Sequence, residues 1–160
     1  MMNKKIGLYI HIPFCNKVCP YCDFHKMVAS NNLKEAYIKA LINEFKLKNI
    51  SKYQLSTIYI GGGTPSSLSI DLLEMLFSTL NENLKLNELL EFTFECNLND
   101  INEELLLFLK DNGVNRLSIG IESFNEDKLN FMERHHTFSE AEKVINLARS
   151  LNFDNINVDL

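Results

Sequence analysis

The period of the apolar positions changes repeatedly along the chain, and each change predicts an element. Residues 6–12 form a short, mostly apolar run ending at Pro13, the pattern of a buried strand entering a loop. From Leu33 the period becomes helical. Leu33, Tyr37, Ile38, Leu41, Ile42 and Phe45 share one face, with Lys34, Glu35, Lys39 and Glu44 opposite, which predicts an amphipathic helix. Residues 55–60 are rich in β-formers and are expected to break at Gly61-Gly62-Gly63, after which Ser69 caps a helix through Leu72, Leu73, Leu76 and Leu80. The alternation then repeats. Residues 91–95 read as a third strand, Asp100 with Glu103 offers a capping box for the next helix, and Gly113 fits just past that helix. Residues 116–121 give a fourth strand, helical stretches follow near 126–132 and 139–151, and a fifth strand begins at Asn155.

Successive strand and helix units require right-handed crossovers, hence a parallel sheet covered by helices. Five strands do not close an eight-stranded barrel, so the expected architecture is α/β with a curved, open sheet. A strand at Leu160 with no following helix leaves a sheet edge uncovered, so the chain reads as a truncated piece of a larger domain. No low-complexity linker or second domain is visible.

Composition narrows the function classes. Sixteen Lys and Arg against 21 Asp and Glu leave a net charge of −5, too few cations for a nucleic-acid or membrane-surface role. With 46% apolar and 23% charged residues in a chain of 160, a sizeable core forms and disorder is not expected. The purest apolar run, residues 105–109, falls far short of the roughly 18 residues of a membrane span. The basic stretch Met1 to Lys5 and the apolar residues after it imitate a signal peptide. His11, Pro13 and Cys15 stand where a small-residue cleavage site should be, so a cytoplasmic protein is expected.

Three of the four cysteines, Cys15, Cys19 and Cys22, form a Cys-x3-Cys-x2-Cys run in the loop after the first strand. In a reducing compartment such a run points to metal or cluster ligation rather than disulfides. An iron–sulfur cubane normally takes four thiolates, so three would leave one iron open to a small molecule. The competing reading is a zinc staple completed by His25 or Cys96. Gly61-Gly62-Gly63-Thr64-Pro65 lets a backbone approach a ligand closely, but matches neither the dinucleotide fingerprint nor the P-loop, so a plain tight turn remains open. Glu95, Glu122 and Asp159 fall at or near the C-terminal ends of predicted strands, the edge where parallel sheets place ligands; each alone also suits a solvated strand end. Arg134 is a carboxylate binder or a solvated loop residue, and His135 and His136, being adjacent, do not share a helix face as a two-histidine metal site would need. His11, opposite Ile10 and Ile12, is a core histidine or a cluster neighbour, and Cys96 reads as a small buried residue.

Taken together, Tyr9-Ile10-His11-Ile12-Pro13-Phe14-Cys15, the cysteine run, Gly61-Gly62-Gly63-Thr64-Pro65 and Arg116-Leu117-Ser118-Ile119-Gly120 resemble the radical S-adenosylmethionine (SAM) superfamily. More narrowly they resemble its oxygen-independent coproporphyrinogen III oxidase and heme-chaperone branch, from about Leu8 to Leu160. The resemblance implies that the chain is the N-terminal part of a TIM-like (βα) radical SAM barrel. It also implies that Cys15, Cys19 and Cys22 hold a [4Fe–4S] cluster whose open iron binds the amino and carboxylate groups of SAM. Reductive cleavage then yields methionine and a 5′-deoxyadenosyl radical. By family position Tyr9 and Tyr21 flank the cofactor, while Gly62, Gly63 and Thr64 contact its methionine or a second SAM. Glu95 takes the ribose hydroxyls, and Glu122, Arg134 and Asp159 complete the site. The implied partners are heme or a porphyrinogen, an electron-donor protein and a heme-acceptor protein.

Several positions depart from the family pattern. Glu122 replaces a usual glutamine, Leu98 a usual proline and Glu133 a usual glycine. Cys22 is followed by Asp23-Phe24, as in the heme-chaperone branch, where the oxidases place another cysteine two positions on. The expectation is therefore a heme chaperone, with the oxidase and an inactive zinc-stapled fragment as rivals.

Overall fold

The structure, a computed structural model, describes residues 5–160, so most of the basic stretch that imitates a signal peptide lies outside the described residues. Five strands alternate with helices: β1 (Lys5–Ile12), α1 (Asn31–Lys48), β2 (Gln54–Gly62), α2 (Ile70–Asn83), β3 (Glu91–Asn97), α3 (Glu103–Asp111), β4 (Arg116–Gly120), α4 (Glu126–Phe131), α5 (Phe138–Ser150) and β5 (Asn155–Asp159). The sheet order is β1-β2-β3-β4-β5 and every pair is parallel. This is the expected α/β architecture.

Strand periodicity sorts the two faces of the sheet. Ile10 pairs with Ile60, Ile60 with Phe94, and Phe94 with Leu117, a fully buried row. Against that face pack Leu73, Leu76, Phe77 and Leu80 of α2 and Leu105, Leu106 and Leu109 of α3. Phe77 stacks on Phe92 with centroids 5.6 Å apart and meets Phe108 edge-on at 5.3 Å. The alternate positions carry Tyr9, His11, Tyr59, Thr93, Glu95, Ser118 and Asp159, so the opposite face is polar. This division puts chemistry on one side of the sheet and the core on the other.

Three local expectations are corrected. β2 does not end at Ile60: Gly61 and Gly62 stay in register with His11 and Ile12. Ser69 has the extended backbone of an N-cap but makes no side-chain cap bond. Asp100 does not cap α3, because Asn102 does so by accepting from the Leu105 N–H at 2.8 Å. Asp100 is instead drawn back toward the sheet edge by Asn16 and Ser66. Gly113, at φ 84°, follows α3 as expected. An unanticipated capping box, Thr137 with Glu140, opens α5. Among the described residues no helix is long and apolar enough to cross a membrane.

Candidate functional site

At the C-terminal edge of the sheet the loops enclose a cavity of about 1070 Å³, roomy enough for a small-molecule ligand. Of the twelve residues that the resemblance assigns to the cluster and cofactor, eleven line the cavity, Cys15, Cys19, Cys22, Tyr21, Gly62, Gly63, Thr64, Glu95, Glu122, Arg134 and Asp159, and Cys96, His135 and His136 line it as well. Tyr9 is not on that wall. It lies on the polar face, hydrogen-bonded to His11 Nδ1 at 3.0 Å and packed on Tyr59 at 5.9 Å, and so touches the site through Tyr59.

The cysteine loop is laced to its neighbours through backbone. Met27 N–H donates to Pro13 O at 2.7 Å and Cys15 N–H to Met27 O at 3.0 Å, which folds the loop onto itself. Gly63 N–H donates to Ile12 O at 2.8 Å and Thr64 N–H to Phe14 O at 2.7 Å, tying the start of the loop to the glycine segment. Cys15 is buried, and its Sγ accepts from Thr64 Oγ1 at 3.3 Å. Burial pushes its thiol pKa up, the Thr64 bond opposes this, and nearby Cys22 and Cys19 add to the rise. Three thiols that repel one another as thiolates suit a cationic iron centre, which supplies the missing compensation.

Among the described residues no three His, Cys, Asp or Glu side chains close around one point as a single metal ion requires. A cubane bonds each thiolate to a different iron and asks only that the three thiols face one space, which the cavity provides. Of the two completing ligands of the zinc reading, Cys96 packs in the hydrophobic core and also lines the cavity, while the His25 ring lies beside His11 with centroids 6.3 Å apart and is not on the cavity wall.

Glu95 projects from β3 onto the polar face. One carboxylate oxygen accepts from Tyr59 Oη at 2.5 Å and the other from Gly62 N–H at 2.9 Å. Each oxygen keeps a lone pair for a further donor, and the anchored geometry holds it ready. Burial and the Glu95 bond push the Tyr59 hydroxyl pKa up, so it remains a donor. Sequence reading missed Tyr59, although its position two residues before Gly61, on the same strand face, signalled it.

The opposite wall is built by β4, β5 and the segment before α5. Glu122 takes φ 70° and its N–H donates to Asp159 O at 2.7 Å. The Arg134 guanidinium lies 4.0 Å from Glu122 and donates to Gly120 O through Nη2. Its side chain is only 11% exposed, so the solvated-loop reading of Arg134 is set aside. Asp159 accepts from Asn157 Nδ2 at 2.7 Å and from Ser118 Oγ at 3.4 Å. Tyr21 links the walls: burial pushes its hydroxyl pKa up, Arg134 opposes, and Glu122 and Cys19 reinforce. Glu133 sits at φ 54°, which accounts physically for the glycine usual there, and its carboxylate pairs with Lys17 of the cysteine loop at 2.6 Å.

Sequence reading also missed the role of Asp100. It accepts from Asn16 Nδ2 at 3.0 Å and Ser66 Oγ at 2.9 Å, while Ser66 Oγ accepts from Asn97 N–H at 2.9 Å. One carboxylate thus joins the loops that follow β1, β2 and β3.

The family model for the radical SAM superfamily matches residues 9–160. The chain belongs to the radical SAM superfamily. It is 42% identical over its full length to the heme chaperone HemW of Lactococcus lactis, covering 42% of that protein. It is 31% identical to the oxygen-independent coproporphyrinogen III oxidase of Salmonella typhimurium, with 98% of the chain and 35% of that protein aligned. The solved structure of coproporphyrinogen III oxidase HemN of Escherichia coli superposes with a TM-score of 0.87 at 31% identity over 96% of the chain and 36% of that structure. The chain spans about two fifths of the length of the curated relatives it matches. Radical SAM proteins use a [4Fe–4S] cluster together with SAM. The donor set of this cavity, three thiols on one wall and carboxylates with an arginine on the others, fits both groups.

Proposed function

We propose that residues 1–160 are the N-terminal part of a radical SAM core domain in a protein of the heme-chaperone type, which binds heme for delivery to an acceptor protein. The observation that carries the chaperone reading is the 42% identity to HemW of Lactococcus lactis, against 31% to the Salmonella oxidase over nearly the same residues. The Asp23-Phe24 that follows Cys22 supports it. In this reading Cys15, Cys19 and Cys22 ligate the cluster, which when bound supplies an open iron and the electron that cleaves SAM. Tyr21 closes one flank of the cofactor, and Tyr9 backs the other through Tyr59. Gly62, Gly63 and Thr64 receive the methionine part, the free lone pairs of Glu95 take the ribose hydroxyls, and Arg134, Glu122 and Asp159 complete the pocket. Glu122 brings a charge where the family uses a neutral amide, which favours one bound SAM over two. The electron donor is a separate protein, and four free cysteines suit the cytoplasm. The oxidase, which would decarboxylate two propionates of coproporphyrinogen III, is the second reading, favoured by the close superposition on the Escherichia coli enzyme.

The test is anaerobic reconstitution with iron and sulfide, followed by electron paramagnetic resonance of the reduced chain with and without SAM. A [4Fe–4S] signal that shifts on adding SAM is expected. Heme titration followed by absorbance, together with an assay for carbon dioxide release from the porphyrinogen, then separates chaperone from oxidase. Binding without release is the chaperone result, and zinc in place of a cluster would defeat both readings.

Glu95→Ala is expected to weaken SAM binding about ten- to hundredfold, since each hydrogen bond to a charged group contributes about 1.5–3 kcal/mol. Cluster content should stay unchanged, because the carboxylate's partners are Tyr59 and Gly62 and not Cys15, Cys19 or Cys22. Isothermal titration checks the first point and iron analysis the second; unaltered affinity would refute the ribose role.

A further inference from the structure

Two buried side-chain nitrogens have no hydrogen-bond partner among the described residues, Arg134 Nε and His136 Nε2. Buried orphans are rare, and two of them two residues apart on one cavity wall call for an explanation. His136 is 6% exposed, and its ring lies beside the Ile121 backbone. A neutral imidazole carries its proton on one nitrogen and a lone pair on the other, so Nε2 accepts when the proton is on Nδ1. Burial and the neighbouring Arg134 charge both favour the neutral ring; the Ile121 backbone and Glu140 act the other way and are outweighed. Arg134 Nε–H is a donor and nothing else. With the proton on Nδ1, the two orphans are a matched donor and acceptor.

We propose that His136 is the positioning residue of Arg134, its Nε2 accepting from Arg134 Nε–H when the cofactor fills the cavity, so that the guanidinium fork is aimed at the ligand. Nη2 is already held by Gly120 O, and Glu122 stands 4.0 Å away. A second anchor at Nε leaves the rest of the fork to meet an anionic group of the ligand in one orientation. The ring is itself buried, with the Ile121 backbone beside it just past β4, so packing restricts the anchor. Both the pairing and its consequence for the ligand rest on the SAM-site reading above.

A double-mutant cycle tests both, on the cluster-loaded chain. His136→Leu, Arg134→Ala and the double variant are compared for unfolding midpoint and for SAM affinity, with His136→Gln as the variant that keeps an acceptor. Coupling is expected: His136→Leu weakens SAM binding about tenfold in the wild-type background and leaves Arg134→Ala unchanged. His136→Gln should recover most of the loss, which a purely structural role would not do. Additive effects on both midpoint and affinity would overturn the pairing. Midpoints coupled equally with and without SAM would overturn the ligand-dependent pairing, and a wild-type chain that binds no SAM would bring down the cofactor reading and the pairing with it.

Discussion

Cys19→Ala is expected to reduce the iron and sulfide of the reconstituted chain to background while leaving its secondary structure intact. Cys19 and Cys22 sit partly exposed in a loop outside the helix-facing core. The local turn there is closed by Cys22 N–H on Cys19 O at 3.3 Å, a bond that needs neither side chain. Removing the Cys19 thiol should therefore change stability by no more than about 0.5 kcal/mol, as for substitutions away from packed features. Its effect on the cluster should be total, since a cubane with two protein thiolates lacks half of its usual ligands. Cys15 is the wrong position for this test, because it is buried against Thr64 and its loss would mix folding with ligation. Iron and sulfide assays with circular dichroism read the result. Full cluster content in Cys19→Ala would remove Cys19 from the ligand set.

The strands were legible because β-branched and aromatic residues alternate where a sheet buries one face, as Ile58 and Ile60 or Phe92 and Phe94 do. The same alternation put Glu95 on the polar side. What escaped was decided by contacts between loops distant in sequence. Asp100 followed by Glu103 satisfies the local rule for a capping box, yet Asn16, 84 positions earlier, claims its carboxylate and Asn102 takes over the cap. Gly61 reads as a strand terminator, but pairing with His11 keeps it in the ladder. Arg134 reads from the sequence as a carboxylate binder or a solvated loop residue, and only the fold shows it enclosed between Gly120 and Glu122. Motif residues such as Gly62, Thr64 and the three cysteines reached the cavity as expected because each lies in the loop or strand end that topology brings to one edge.

Gly63→Ala is expected to lose the cluster and about 1–3 kcal/mol of stability together, the usual cost of forced overpacking. A Cβ on Gly63 would lie 2.9 Å from Phe14 O and from Pro13 C, and 3.1 Å from Cys15 Sγ. The first two are backbone atoms held in place by Gly63 N–H on Ile12 O and Thr64 N–H on Phe14 O, so relief requires breaking those bonds. Pushing residues 13–15 away also moves Cys15, the one candidate ligand that is buried. Gly113→Ala is the control. Its Cβ meets nothing closer than Leu86 Cβ at 3.7 Å, so the strain comes from φ 84° alone and costs about 1–2 kcal/mol. Gly113 lies behind α3, away from the cavity wall, and this variant should keep its iron. Thermal unfolding beside iron analysis separates the two effects: equal destabilisation with cluster loss only in Gly63→Ala ties ligation to the seam between the glycine and cysteine loops. Cluster loss in both variants would mean that ligation follows global stability and that the close approach at Gly63 has no special part in it.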